Sequence, residues 1–190
     1  MAEPRALIVI DVQKGFLNDR WGSSSNPQAE QRVADLVEAW QSRQLGPVVL
    51  VRHDSRTPGS PLHPDEPGNQ FMDEIAGVTP DVLITKHVNS AFYGEPSLDA
   101  WLRDRGLTDL VICGIQTNMC VETTARMAGN LGYRVTVPLD ATRTFDISTT
   151  LADGTAVSLT ADELMRATAA SLHGGGFATV TSTESLLASL

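Results

Sequence analysis

Four side chains that can do chemistry stand just after short apolar runs of this sequence. They are Asp11, His53, Lys86 and, after a turn, Cys120. If the runs are parallel strands, their carboxyl ends meet at one edge of a sheet, which is where open α/β sheets bind ligands. A carboxylate such as Asp11 is costly to bury there without a partner. Taken alone, Asp11 could be a turn residue, and Lys86 could be a lysine whose side chain reaches solvent at the sheet edge. Taken together, the two residues favour a functional site.

Cys120 would define the chemistry of such a site. It lies in the segment 114–120, between a predicted strand and the helix that follows. N–H groups at a helix start lower the pKa of a thiol and can hold the oxyanion of a carbonyl under attack. A neighbouring lysine would stabilise the thiolate, and a carboxylate could pass a proton to a leaving amine. The alternative is a thiol packed in a core, which is the interpretation for Cys113.

Short apolar runs without strict alternation predict strands buried on both faces, as in a covered parallel sheet. Six such runs are present, at Ala6–Ile10, Val48–Val51, Val82–Thr85, Leu110–Cys113, Val135–Val137 and Ala178–Val180. Helical stripes lie between them, at Val33, Leu36, Val37 and Trp40 and at Val121, Thr124, Ala125 and Ala128. The sequence therefore predicts one α/β domain over residues 1–190, a three-layer, doubly wound, mainly parallel six-stranded sheet with helices on both faces.

Local signals mark helix ends and loops. Thr160 to Glu163 has the form of a capping box, and helices are expected to end near Gly46, Gly106 and Gly132. The segment His173–Gly176 is predicted to be a turn into the last strand. The segments Ser55–Asn69 and Phe145–Leu159 are predicted to be surface loops that form candidate walls of a pocket.

The charge balance narrows the classes of partner. Lys and Arg number 14 against 23 Asp and Glu, for a net charge of −9, and no basic cluster is present, so nucleic acid is not expected as a partner. No apolar stretch approaches the ~20 residues of a membrane span, and no secretory signal is evident, so we expect a cytoplasmic protein. Its two cysteines are expected to be free thiols.

Three segments carry a family resemblance. They are 6–16 (ALIVIDVQKGF), 85–94 (TKHVNSAFYG) and 114–126 (GIQTNMCVETTAR). In order and content they resemble the signature blocks of the isochorismatase-like cysteine hydrolases. The resemblance implies a triad in which Cys120 is the nucleophile, Asp11 the general acid and base, and Lys86 the group that lowers the thiol pKa. It further implies a cis peptide at Ile115–Gln116 and an oxyanion hole formed by the N–H groups of Gln116 and Cys120.

The resemblance also bears on metals and on the pocket lining. Nicotinamidases of this family bind a metal through an Asp-x-His element and a further His, whereas residues 51–55 here read VRHDS. We therefore expect no metal and no cofactor, although His53, Asp54 and His63 could form an improvised site. Four aromatic residues near the proposed triad are candidates for an aromatic rim that binds substrate: Phe16, Trp21, Phe92 and Tyr93.

The expected function is hydrolysis of an amide or related C–N bond of a small molecule through a thioester on Cys120. The resemblance also implies a homo-oligomer, a dimer or larger, in which a neighbouring subunit lines the pocket. Two alternatives stay open. An isochorismatase-type vinyl ether hydrolase would use Asp11 and Lys86 and tolerate loss of the thiol. A catalytically silent binding module on the same fold would have an ordinary thiol at position 120.

Overall fold

A computed structural model describes residues 5–190, so the first four residues of the predicted domain lie outside the described part. The strands are β1 (Arg5–Ile10), β2 (Val48–His53), β3 (Val82–Lys86), β4 (Asp109–Ile115), β5 (Arg134–Pro138), β6 (Thr142–Arg143), β7 (Ile147–Thr150), β8 (Ala156–Leu159) and β9 (Thr179–Thr181). The helices are α1 (Ala29–Arg43), α2 (Asp73–Ala76), α3 (Leu98–Arg103), α4 (Glu122–Asn130), α5 (Ala161–Gly174) and α6 (Thr183–Ala188).

The main sheet has the order β3-β2-β1-β4-β5-β9, and all of these strands are parallel. The predicted α/β fold with six strands is confirmed. A seventh strand, β6, was not predicted, since it is two residues long and pairs with the carboxyl end of β4. The order places β1 and β4 at the centre, so the ends of β1, β2, β3 and β4 share one edge.

Two apolar clusters show that helices cover both faces of the sheet. In β1, Leu7 and Val9 point into one cluster with residues of α1, α2 and α6, whereas Ile8 and Ile10 point into the other with residues of α3, α4 and α5. This alternation buries both faces of the strand, which is why the sequence run is continuously apolar. The layers therefore leave the strand ends as the place where polar side chains can gather.

The predicted helical patterns are confirmed. The stripe of α1 at Val33, Leu36, Val37 and Trp40 is buried, and the predicted capping box of Thr160 and Glu163 opens α5. Helices α1, α3 and α4 end within three residues of the predicted glycines, and the turn at His173–Gly176 leads from α5 to β9. No helix of residues 5–190 is both long enough and apolar enough to cross a bilayer.

The segment Phe145–Leu159 differs from the prediction of a loop. It contains the antiparallel hairpin β7–β8, in which Ile147 faces Leu159, while its residues 148–156 are all exposed. Because neither face is packed on the core, the hairpin lacks the alternation of apolar and polar residues that reveals a strand. The segment Ser55–Asn69 is a loop as predicted, apart from a short helical turn at Pro67–Asn69.

Candidate active site

Asp11 follows β1 directly and forms part of the floor of a cavity at the sheet edge. Its backbone is in the left-handed region at φ 52°, and its N–H donates to the carbonyl of Val51 at 2.9 Å. A non-glycine residue in this region is strained by about 1–3 kcal/mol, which neighbouring contacts must offset. The carboxylate is fully buried, with Oδ2 at 2.5 Å from Lys86 Nζ and Oδ1 without a hydrogen-bond partner in the described chain.

Lys86 ends β3 and lies at the centre of the site. Its side chain is 0% exposed, and Nζ contacts Asp11 Oδ2 at 2.5 Å, His53 Nδ1 at 3.2 Å and Cys120 Sγ at 3.4 Å. Burial alone would lower the pKa of the ammonium, but Asp11 and then Cys120 attract the charge and raise its pKa above the ordinary value. The site is therefore built around a fixed positive charge.

Cys120 lies in a π-helical turn, Thr117–Val121, between β4 and α4. The peptide bond Ile115–Gln116 before this turn is cis, as the family resemblance implied. Sγ is 3.8 Å from Asn89 Oδ1. The expectation of a lowered thiol pKa is wrong: burial raises the pKa of Cys120, the nearby Asp11 carboxylate raises it further, and Lys86 opposes both only in part. The thiol thus holds its proton more tightly than a free cysteine does.

Two buried amides hold the end of β2 in place. Gln13 accepts from the His53 N–H at 2.8 Å and donates to the carbonyls of His53 and Asn69. Asn69 in turn donates to the carbonyls of His53 and Leu62 and to Asp54 Oδ1. Because buried amides without partners are costly, this network links the loop after β2 to the turn after β1. It fixes His53 from the backbone side.

The cavity above these groups has a volume of about 310 Å³. It is lined by Asp11, Phe16, Trp21, His53, Ser55, Ser60, Leu62, Asn89, Gln116, Met119 and Cys120. Phe16 and Trp21 pack together with ring centroids 5.1 Å apart, and Phe145 stacks on Phe16 at 6.0 Å. The indole N–H of Trp21 donates to the carbonyl of Gly15 at 2.8 Å, so its ring has a fixed position. An apolar wall therefore faces the buried polar floor.

Comparison with known proteins identifies this arrangement. A sequence model described as "Isochorismatase domain" matches residues 5–184, which is nearly the whole chain. The chain belongs to the isochorismatase family.

Relatives within the isochorismatase family agree with this assignment. The chain is 35% identical over 187 residues to an uncharacterized isochorismatase family protein, YrdC, of Bacillus subtilis (strain 168), covering 98% of this chain and 96% of that protein. It is 31% identical over 154 residues to nicotinamidase 3 of Arabidopsis thaliana, covering 74% of each. A solved structure of an isochorismatase-family protein from Chromobacterium violaceum ATCC 12472 is 37% identical, with a TM-score of 0.86, over 98% of this chain and 92% of that one. The protein is thus a hydrolase of the isochorismatase family.

The donor set of this isochorismatase-family site does not fit a metal ion. Asp11, His53 and Cys120 have ligand atoms within 4.8 Å of one another, and they form the one such group of His, Cys, Asp or Glu between residues 5 and 190. Lys86 Nζ contacts all three, so a cation among them would meet the ammonium. His53, Asp54 and His63 do not form a second such group among the described residues, and Asp54 contacts Arg52 while His63 contacts Asp65.

Two of the four aromatic residues predicted to bind substrate lie elsewhere. Phe16 and Trp21 line the cavity, but Phe92 and Tyr93 are not among its lining residues. They lie in a 3-10 turn after β3, where the Ser90 hydroxyl accepts from the Phe92 N–H. This turn sends Phe92 into the core beside Tyr133, with ring centroids 5.8 Å apart, and leaves Tyr93 72% exposed.

Five other residues that line the cavity of this isochorismatase-family site were not singled out individually from the sequence. Ser55, Ser60 and Leu62 belong to the loop that was predicted to be a pocket wall, and that prediction is confirmed. Asn89 and Met119 lie within the family segments and carried no separate signal. From the other predicted wall, residues 145–159, none lines the cavity, although Phe145 supports Phe16 from behind.

Proposed function

We propose that this protein hydrolyses the amide C–N bond of a small molecule through a thioester on Cys120. The observation that carries the proposal is the position of Lys86 Nζ, 2.5 Å from a carboxylate of Asp11 and 3.4 Å from Cys120 Sγ, at the floor of a cavity. A nucleophile, a proton acceptor and a fixed charge thus meet where a carbonyl can enter.

In the first half of the proposed reaction, Asp11 takes the thiol proton as Sγ attacks the carbonyl carbon. The raised thiol pKa makes this transfer necessary, because little thiolate exists beforehand. The S–C bond forms and the carbonyl oxygen becomes an oxyanion. Asp11 then gives the proton to the amide nitrogen, the C–N bond breaks, and the amine leaves. Lys86 keeps its charge throughout and holds the carboxylate in line.

In the second half, Asp11 accepts a proton from water as the water oxygen attacks the thioester carbon. The tetrahedral intermediate collapses, the C–S bond breaks, and the proton returns from Asp11 to Sγ. An acid is released and the starting thiol is restored. The proposed reaction uses the chain's own residues and water alone.

The oxyanion would be held by the backbone N–H groups of Gln116 and Cys120. Gln116 lines the cavity, and its N–H makes no hydrogen bond within the described residues. The N–H groups of Met119 and Val121 both donate to the Gln116 carbonyl at 3.1 Å, so they are engaged. A free, preorganised donor at this point supports the proposed role of Gln116.

The relatives support amide chemistry in particular. Nicotinamidase 3 of Arabidopsis thaliana, 31% identical over three quarters of each chain, is named for the hydrolysis of an amide. The cavity volume of about 310 Å³ fits a small molecule and not a polymer. We therefore propose a small-molecule amide as the substrate class.

The proposal is tested with a panel of small primary amides. Ammonia release is measured, with and without hydroxylamine, which converts a thioester into a hydroxamate. We expect turnover and hydroxamate formation in the wild type and loss of both by a factor of about 10³ or more in Cys120→Ala.

Cys113→Ala is the matched control, because Cys113 is the second thiol of the chain and lies in the core instead of the cavity. This variant should retain activity. Cleavage of a vinyl ether by Cys120→Ala would favour the ether hydrolase. The absence of any turnover or adduct in the wild type would favour a binding module.

A further inference from the structure

Lys86 contacts three residues that line the cavity: Asp11, Cys120 and His53. The Nδ1 atom of His53 lies 3.2 Å from Lys86 Nζ, while the His53 backbone N–H and carbonyl are held by Gln13. The proposed reaction gives His53 no task. Its side chain nonetheless lies at the cavity, beside the thiol and the carboxylate.

The contact with Lys86 decides where the imidazole carries its proton. An ammonium has three N–H donors and no acceptor, so the atom facing it must be an acceptor. Nδ1 is therefore unprotonated, and the ring carries its hydrogen on Nε2. Burial and the charge of Lys86 lower the pKa of His53, and the weaker opposing influence of Asp11 leaves the ring neutral. The adjacent His87 lowers this pKa and Asp54 raises it, each to a smaller extent.

The Nε2–H has no partner among residues 5–190, since Nδ1 makes the single hydrogen bond of the ring. The neutral ring and Cys120 line the same cavity. The charges of the cavity floor are balanced, because the carboxylate of Asp11 is paired with Lys86. The lining includes no Arg, Lys or Glu and no second Asp. An anionic ligand would find no free cation in this lining and would meet the carboxylate of Asp11.

We propose that His53 is a specificity-determining residue whose Nε2–H donates to an uncharged acceptor of the ligand, and that the site selects neutral amides over anionic ones. The choice of an amide as ligand rests on the proposed function at Cys120. The assignment of the His53 tautomer and the pairing of the Asp11 charge depend only on the contacts of Lys86.

The tautomer is tested first, by ¹⁵N NMR of protein with labelled histidine. We expect the His53 signals of an Nε2–H imidazole at neutral pH, assigned by their absence in His53→Gln. An Nδ1–H tautomer or an imidazolium at neutral pH would overturn the inference. This readout does not depend on turnover.

The donor role is tested with three alkylating agents that attack Cys120. Methyl iodide has no acceptor, iodoacetamide has a neutral one, and iodoacetate has an anionic one. Rates at Cys120 are read by peptide mass spectrometry, which separates it from Cys113, and each ratio of rates is divided by the same ratio for free cysteine. A change in the reactivity of the thiol itself then cancels.

In the wild type, we expect the ratio of iodoacetamide to methyl iodide to exceed that of free cysteine by about tenfold, the value of one hydrogen bond in a dry site. His53→Phe should reduce the ratio to that of free cysteine. His53→Gln should retain most of it, because its amide oxygen can accept from Lys86 and its NH₂ can donate. The ratio of iodoacetate to methyl iodide should stay below that of free cysteine.

An unchanged iodoacetamide ratio in His53→Phe, or a preference of the wild type for iodoacetate, would overturn the inference. The amide panel reports separately on the proposed function. Turnover combined with unselective alkylation would refute the role of His53 alone. Selective alkylation without turnover would refute the amide hydrolase and keep the donor.

Discussion

Asp11 and Cys120 both lie within contact distance of the Lys86 ammonium. Burial and the Asp11 carboxylate both raise the pKa of the Cys120 thiol, and Lys86, which lowers it, is engaged with Asp11 at 2.5 Å. In the proposed reaction, Cys120 is therefore activated only when its proton moves to Asp11 as it attacks a substrate carbonyl. Under this proposal, we expect Cys120 to react slowly with alkylating agents that have no carbonyl group to occupy the site.

The Asp11 carboxylate has two proposed roles: it raises the pKa of the Cys120 thiol, and it carries the proton during the reaction. The variant Asp11→Asn separates them. Without its negative charge, the pKa of Cys120 falls and Lys86 pairs with a thiolate. Alkylation of Cys120 by iodoacetamide at neutral pH should accelerate about tenfold for each unit of pKa lost, whereas amide turnover should drop by about 10²–10⁴ because the proton carrier is gone. Both rates are measured on the same protein sample.

Asp99→Asn is the control for this prediction, since Asp99 pairs with Arg103 at the surface. It should change neither rate. An Asp11→Asn variant alkylated no faster than the wild type would show that the carboxylate does not set the thiol pKa.

Gly114 of β4 pairs with Ile10 of β1, next to Asp11 and just before the turn that carries Cys120. Gly114 has φ 119°, and a Cβ built on it would lie 2.0 Å from the Ile10 carbonyl oxygen. Any side chain there would push the two strand ends apart. Gly106 also has a positive φ, of 65°, but its Cβ would meet nothing within 4 Å.

Gly114→Ala and Gly106→Ala therefore form a matched pair. Gly106→Ala should lower the free energy of unfolding by about 1–2 kcal/mol, the cost of a left-handed alanine. Gly114→Ala should lower it by a further 1–3 kcal/mol or so, because the backbone must shift, and it should reduce turnover as well. Urea unfolding and ammonia release measure the two effects. Equal losses of stability would contradict the close approach.

The helices and strands could be predicted from the sequence wherever packing imposes a pattern. Runs such as 6–10 and 48–51 are apolar throughout because both faces of the sheet are covered. The hairpin at residues 147–159 packs on neither cluster, so no apolar repeat marks it. The short strand β6 depends on the position of β4, which is a tertiary effect and leaves no local signal.

The candidate site could be predicted in part. Asp11 and Lys86 stand at strand ends, and Cys120 follows a strand after a turn, so the topology alone brings them to one edge of the sheet. The family segments added the expected role of each residue. The sequence could not predict which way the Phe92 side chain points, because a single turn after β3 decides whether it faces the cavity or the core. The thiol pKa could not be read either, since it depends on burial and on the distance to a charge.

Across the whole molecule, two buried thiols link stability to pH. Burial raises the pKa of Cys113, and burial with Asp11 raises that of Cys120, whereas both ionise near pH 8.5 in the unfolded chain. Above that pH the unfolded state binds fewer protons than the folded state, so stability falls as pH rises. Each thiol contributes up to about 1.4 kcal/mol per pH unit.

Urea unfolding between about pH 7.5 and 9.5 tests this linkage, in a window below the unfolded pKa of lysine. The free energy of unfolding should fall with pH in the wild type, and the slope should be shallower by up to about 1.4 kcal/mol per pH unit in Cys113→Ala. The difference in slope removes the general repulsion of an acidic chain from the comparison. Identical slopes would show that Cys113 titrates normally in the fold.

The triple contact of Lys86 has a consequence for the course of the proposed reaction. Before attack, the negative charge is on Asp11; after attack it is on the oxyanion, and Asp11 is neutral. Lys86 contacts the carboxylate that loses this charge and the sulfur that forms the new bond, and in the proposed reaction it keeps its own charge. The buried floor therefore holds the same total charge at every stage, and no counterion has to enter or leave the cavity as the substrate is converted.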